Sequence, residues 1–269
     1  MKSFEETVIS RLQLVEREVE RLRVKESPDM SSYLGITAKA ADSAKLGGVN
    51  ASDLLSGWIP ASGWTINDAA NGAVNVPSGA LSIYSVGDKV KLTNQTVKYF
   101  YIVRVEDNYM FLNGGSNYVL SGAYGTVLTN VYYSHASNPV GFPQWFDYTP
   151  ILTVSGGTAP TYATFINRYC QVGKLVVVTG QWYNASGGTA GAGAAEILVT
   201  LPVPPKNLDA VITGSAGYGN GGAYATGGIY IFASSSKFAI TKLDAGFLTG
   251  AAQNNAMRSV YFTFEYEAA

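Results

Sequence analysis

Val8, Leu12, Val15, Val19 and Leu22 recur at alternating steps of four and three, which lays a single apolar stripe along a helix. With Leu12 and Val19 at heptad position a, residues Val8, Val15 and Leu22 fall at d. The flanking positions then pair Arg11 with Glu16 and Glu18 with Arg23, opposite charges of the kind a parallel, in-register bundle places beside its seam. β-Branched residues at both core positions favour three strands over two. An amphipathic helix docked on a globular body is the alternative, but it has no use for matched flanking charges. The pattern predicts a parallel trimeric coiled coil over residues 1–27.

Lys25-Glu26-Ser27-Pro28 ends that helix, because Pro28 cannot continue the ladder and pushes Ser27 out of helical geometry. Residues 28–57 read as a linker of small residues with short helices, one expected over Thr37–Leu46 with Gly47-Gly48 as its stop. From Trp58 onward the texture changes to strands. Lys89 to Val105 alternates apolar and polar side chains. Phe100 and Ile102 are expected to share a face with Arg104, and Tyr99, Tyr101, Val103 and Val105 to line the other. Residues 58–138 are therefore expected to form a small β-barrel or sandwich.

Asn138-Pro139-Val140-Gly141-Phe142-Pro143 reads as a hinge. Residues 139–269 follow as a C-terminal β-sandwich of about eight strands with Gly-rich connections, of jelly-roll type. Leu175 to Val178 is apolar throughout and is expected to be buried on both faces. In the last strand Val260, Phe262, Phe264 and Tyr266 oppose Thr263, Glu265 and Glu267, the signature of a half-buried strand. The predicted fold is thus mainly β behind a trimeric coil.

With 18 basic and 19 acidic residues the net charge is −1. No basic field invites nucleic acid, and no apolar run approaches a membrane span. One cysteine, Cys170, leaves no internal disulfide and reads as an inert thiol. The one histidine, His135, makes no metal cluster and reads as structural or solvated. Acidic residues beyond the coil are sparse, and no pair such as Asp147 with Asp244 is favoured as a glycosidase dyad. The sequence therefore predicts no enzyme, no cofactor and no metal site.

Two Gly-, Tyr- and Asn-rich stretches, 182–194 and 218–228, carry the candidate binding residues: Trp182, Tyr183 and Asn184 in one, Tyr218, Asn220 and Tyr224 in the other. Aromatic faces stack on sugar C–H surfaces while amides bond the hydroxyls. Both stretches are expected to be connections between strands, where glycine admits close approach of a ligand.

Three segments resemble the tail-fibre and receptor-binding proteins of tailed bacteriophages. The leading coil is one, and the AADSAKLGGVNASDLL stretch resembles fibre-shaft linker units. The third is similar to C-terminal β-sandwich modules of phage fibres. It contains Tyr148, Thr149 and Pro150; then Arg168, Tyr169, Val172, Gly173, Lys174 and Val176; then Leu201, Pro202, Val203 and Pro205. The resemblance implies a virion-attached homotrimer, synthesised in the host cytoplasm. Its N-terminal region would contact other virion proteins and its C-terminal domain a host surface glycan or protein. It equally admits a structural head or collar fibre, or a capsid decoration protein, anchored by the coil.

Overall fold

A computed structural model describes residues 11–20, 45–46, 49–50, 55–184, 188–206, 211–233, 235–242, 246–253 and 257–269. The chain divides into two units, Met1–Ser52 and Asp53–Ala269.

In the first unit residues 11–20 are helical, and the apolar Leu12, Val15 and Val19 are all at least half exposed. Val8, Leu22 and Arg23, the rest of the expected seam, lie outside the described residues. β1 (Lys45–Leu46) pairs antiparallel with β2 (Val49–Asn50). The last two residues of the expected linker helix are therefore strand. A two-residue Gly-Gly spacing in sequence is as much a hairpin signal as a helix stop.

The second unit is antiparallel β throughout. Its first sheet holds β3 (Ile59–Ala61), β4 (Thr65–Asp68), β5 (Ala73–Asn75), β6 (Lys89–Asn94), β7 (Thr96–Val105), β8 (Tyr109–Asn113) and β9 (Thr129–Ser134), in the order β3-β9-β6-β7-β8-β5-β4. The edge strands β3 and β4 are neighbours in sequence. Six spacings of about 4.8 Å would hold the edges of a flat sheet roughly 29 Å apart. The four steps from Ala61 to Thr65 reach only about 14 Å. The sheet must curl. Leu128 N–H to Trp64 O (3.0 Å) and Ile66 N–H to Thr126 O (2.9 Å) then tie β4 to the segment entering β9. Trp64, Ile66, Val74, Val90, Leu92, Phe100, Ile102 and Met110 fill the interior.

β7 departs from the expected alternation. Ile102 pairs with Leu112, but the next pair is Arg104 with Phe111, so Val103 is an inserted residue. A bulge turns the strand over. Val105 consequently packs on the Phe100 and Ile102 core, and Arg104 is exposed beside Glu106, with Nε 2.8 Å from Oε1. Without the bulge, simple alternation would drive a guanidinium into an apolar core.

The second sheet holds β10 (Phe146–Asp147), β11 (Leu152–Val154), β12 (Thr164–Val172), β13 (Leu175–Asn184), β14 (Ile197–Thr200), β15 (Val211–Asn220), β16 (Ala223–Ile231), β17 (Lys237–Ile240) and β18 (Arg258–Glu267). Their order is β10-β12-β13-β18-β15-β16-β17-β14-β11. This is one continuous nine-stranded sheet, where a jelly roll would show two facing sheets. Its edges, β10 and β11, are again consecutive. A flat sheet would part them by roughly 38 Å, and five chain steps span about 18 Å, so this sheet also folds over on itself. Val178, Trp182, Ile229, Phe238, Val260, Phe262 and Phe264 lie inside the fold. β18 is half-buried as expected, and it is a central strand between β13 and β15. β13 alternates: Val176 and Val178 are buried, while Leu175 is 44% exposed and Val177 intermediate. Within the chain, that strand is buried on one face only.

The stretch read as a hinge is pinned. Phe142 is buried among Tyr101 (5.1 Å between centroids) and Phe146 (5.5 Å). The Trp58 indole N–H donates to Val140 O at 2.9 Å. Asn113 adds a polar tie, donating to Pro202 O (2.7 Å) and accepting from the Tyr169 hydroxyl (2.9 Å). The two curled sheets therefore share one continuous aromatic cluster.

Candidate functional site

The six candidates all lie in strands: the first connection begins after Asn184, and most of the second is strand. Trp182, Tyr183 and Asn184 end β13; Tyr218 and Asn220 end β15; Tyr224 opens β16. Asn220 pairs with Ala223 across Gly221-Gly222, both with positive φ (62° and 87°). This is the conformation that a two-residue hairpin turn demands of both central residues. Strand alternation then sorts the six candidates onto opposite faces.

Trp182 and Asn184 face inward and are fully buried. They are corrections to the expected site: neither can touch a surface ligand. The Trp182 indole N–H donates to Asn167 Oδ1 at 2.6 Å. Asn184 Oδ1 accepts from Ala163 N–H (3.2 Å) and Gly188 N–H (3.1 Å), holding two connections against the sheet end. Tyr218 and Asn220 are on the same inner side and partly covered, with Tyr218 against the core.

Arg258 and Gln253 complete the support. Arg258 is 1% exposed and donates from Nη2 to the carbonyls of Thr161 and Thr189. Its guanidinium sits 5.4 Å from the Tyr162 ring centre. Tyr162 donates to Gln253 Oε1 (3.1 Å), and Gln253 Nε2 donates to Gly219 O (3.1 Å). Burial pushes the Tyr162 phenol well above its ordinary pKa, and the neighbouring Arg258 charge draws it partly back. A neutral phenol therefore remains a hydrogen-bond donor here.

Tyr183 and Tyr224 face outward, and register brings them into one row. Thr164, Tyr183, Ser259, Gly219 and Tyr224 align across β12, β13, β18, β15 and β16. The adjacent row is Ile166, Gln181, Tyr261, Gly217 and Thr226. A Cβ on Gly219 would lie 2.8 Å from the Tyr224 ring and 2.9 Å from Ser259 Oγ, so the tyrosine lies flat over the glycine. Tyr224 is 76% exposed, Tyr261 44% and Tyr183 39%. Neither row contains a charged residue. The depression lined by Tyr183, Tyr224 and Met257 is only about 10 Å³, so the surface is a platform, not a pocket.

Such a platform can stack against the apolar faces of an extended ligand while Gln181, Thr226 and Thr164 bond its hydroxyls. Tyr261 and Met257 were missed from sequence. Yet Tyr261 is legible there: the alternation that sets Thr263 and Glu265 outward also carries Tyr261 outward.

Elsewhere, His135 Nδ1 lies 2.9 Å from Asp88 Oδ2 on the rim of the first sheet. Cys170 is partly buried, which raises its thiol pKa. Among the described residues no group of three His, Cys, Asp or Glu is placed to hold a metal, and no helix is long and apolar enough to cross a membrane. No family model, curated protein or solved structure matches the chain.

Proposed function

We propose that the chain is a non-enzymatic, homotrimeric fibre protein of a tailed bacteriophage that attaches the virion to a glycan on the host cell surface. The observation that carries this reading is the pair of uncharged rows at one end of the second sheet's outer face, with Tyr183, Tyr224 and Tyr261 exposed on a flat, glycine-containing floor. The sequence resemblance supplies the virion context, and the leading heptad pattern supplies the threefold symmetry. Three weak platforms on one stalk gain by effective concentration, so that modest single contacts hold a particle.

The test is an array of bacterial capsule and lipopolysaccharide glycans probed with the full chain and with Y183A/Y224A. Retention of at least one glycan by the parent, lost in the double variant at unchanged thermal midpoint, is the expected result. Equal retention by both proteins contradicts the platform. Retention of nothing, with the trimer located on a head or collar by electron microscopy, replaces attachment with a structural role.

A further inference from the structure

The first sheet carries a concavity that the platform does not involve. A cleft of about 850 Å³ opens beside β7 and β8, with Val103, Arg104, Phe111 and Val119 around it and Phe100 and Leu112 beneath. Small-molecule sites run from roughly 300 to 1,000 Å³ and are mostly apolar with a few placed polar groups. This cleft matches that description.

The bulge at Val103 builds it. By inserting one residue, it sets Arg104 directly across from Phe111, with the guanidinium 5.0 Å from the ring centre. Bulges recur beside binding sites because they re-aim a side chain. Glu106 Oε1 accepts from Arg104 Nε (2.8 Å) and Nη2 (2.5 Å). The guanidinium is thereby fixed in orientation, and Nη1 donates no hydrogen bond among the described residues. The side chain stays 59% exposed. Among the described residues that line the cleft, Arg104 is the one with a charged side chain.

We infer that the cleft binds a carboxylate-bearing sugar, a uronic acid residue or its equivalent. The carboxylate meets Arg104 Nη1, and the C–H face of the ring lies against Phe111 and the valines. The charge balance selects this class. Arg104 is already paired with Glu106, so the nearby carboxylate opposes a phosphate dianion more strongly than a single negative charge. A neutral sugar offers Nη1 only a hydroxyl or ring oxygen, a weaker acceptor than a carboxylate. A pyranose ring, unlike an alkyl chain, presents a flat apolar face to an aromatic ring and hydroxyls to the backbone groups around it. This inference does not rest on the attachment reading, because the cleft and the platform share no residue.

The test is calorimetric titration of the full chain with trigalacturonate, maltotriose and octanoate. Saturable binding of trigalacturonate, at least about tenfold tighter than of the other two, is expected. Loss of the charge-assisted contact in R104Q should weaken it by about tenfold or more. V119W is the second variant: Val119 is 57% exposed at the cleft, so a bulky side chain there should block binding without touching the core. Y183A/Y224A should leave this affinity unchanged. The inference is overturned by no saturable binding of trigalacturonate, by equal binding of maltotriose or octanoate, or by full affinity in R104Q and V119W.

Discussion

Between residues 11 and 20 the apolar side chains lie in the open, with Leu12 56%, Val15 61% and Val19 50% exposed. In the unit Asp53–Ala269 the corresponding residues are enclosed: Trp64, Ile66, Val178 and Trp182 are all 0% exposed. Geometry explains part of the contrast. A single amphipathic helix cannot enclose its own apolar stripe, whereas each curled sheet encloses its own inner face. On the trimeric reading proposed above, the β unit is stable as a single chain and the helical stripe is covered by other copies. Stability and assembly should therefore separate experimentally.

The largest expected effect is in the β unit. Trp182→Ala removes a fully buried indole bonded to Asn167 and should cost about 3–5 kcal/mol. Chemical denaturation measures it, and the loss should not depend on protein concentration. A loss below about 1 kcal/mol would place Trp182 outside the core.

Next comes the double change L12N/V19N. It should dissociate the assembly while leaving the thermal midpoint of the β unit in place, because polar residues at successive a positions remove the seam. Light scattering and circular dichroism on the same sample read the two halves of that statement.

Alkaline pH gives a smaller effect, confined to the sheets. Burial raises the Tyr101 phenol from 10.0 to about 12, and it also raises Tyr148 and Tyr169. The unfolded chain releases these protons first. Their contribution is therefore complete below about pH 10 and declines as pH climbs toward the folded-state values. Stability followed from pH 8 to 11 should fall above about pH 10, and less steeply in Y101F. The smallest effect belongs to the platform. Y183A/Y224A removes exposed rings and should change stability by less than about 0.5 kcal/mol per site, with assembly untouched.

Much of this architecture is legible in the sequence. The last strand was expected at 258–267 and occupies Arg258–Glu267, because an uninterrupted apolar alternation leaves no other reading. Other features escaped, two of them at the candidate sites. The bulge at Val103 has no residue signature; only the cost of burying Arg104 demands it. Residues 182–184 of one expected connection, and 218–220 and 223–228 of the other, are strand because cross-strand register overrides the low β propensity of glycine. The same register turned Trp182 and Asn184 inward while leaving Tyr183 and Tyr224 outside. Composition announced an aromatic, amide-rich region; which side chains face solvent depended on phase, which Gly-rich sequence specifies weakly.

Sedimentation equilibrium of the full chain addresses the threefold claim most directly. Three chains of 28.5 kDa should sediment together as one particle of about 86 kDa at micromolar concentration, and as single chains in L12N/V19N. A parent protein that sediments at 28.5 kDa at every concentration would contradict the account.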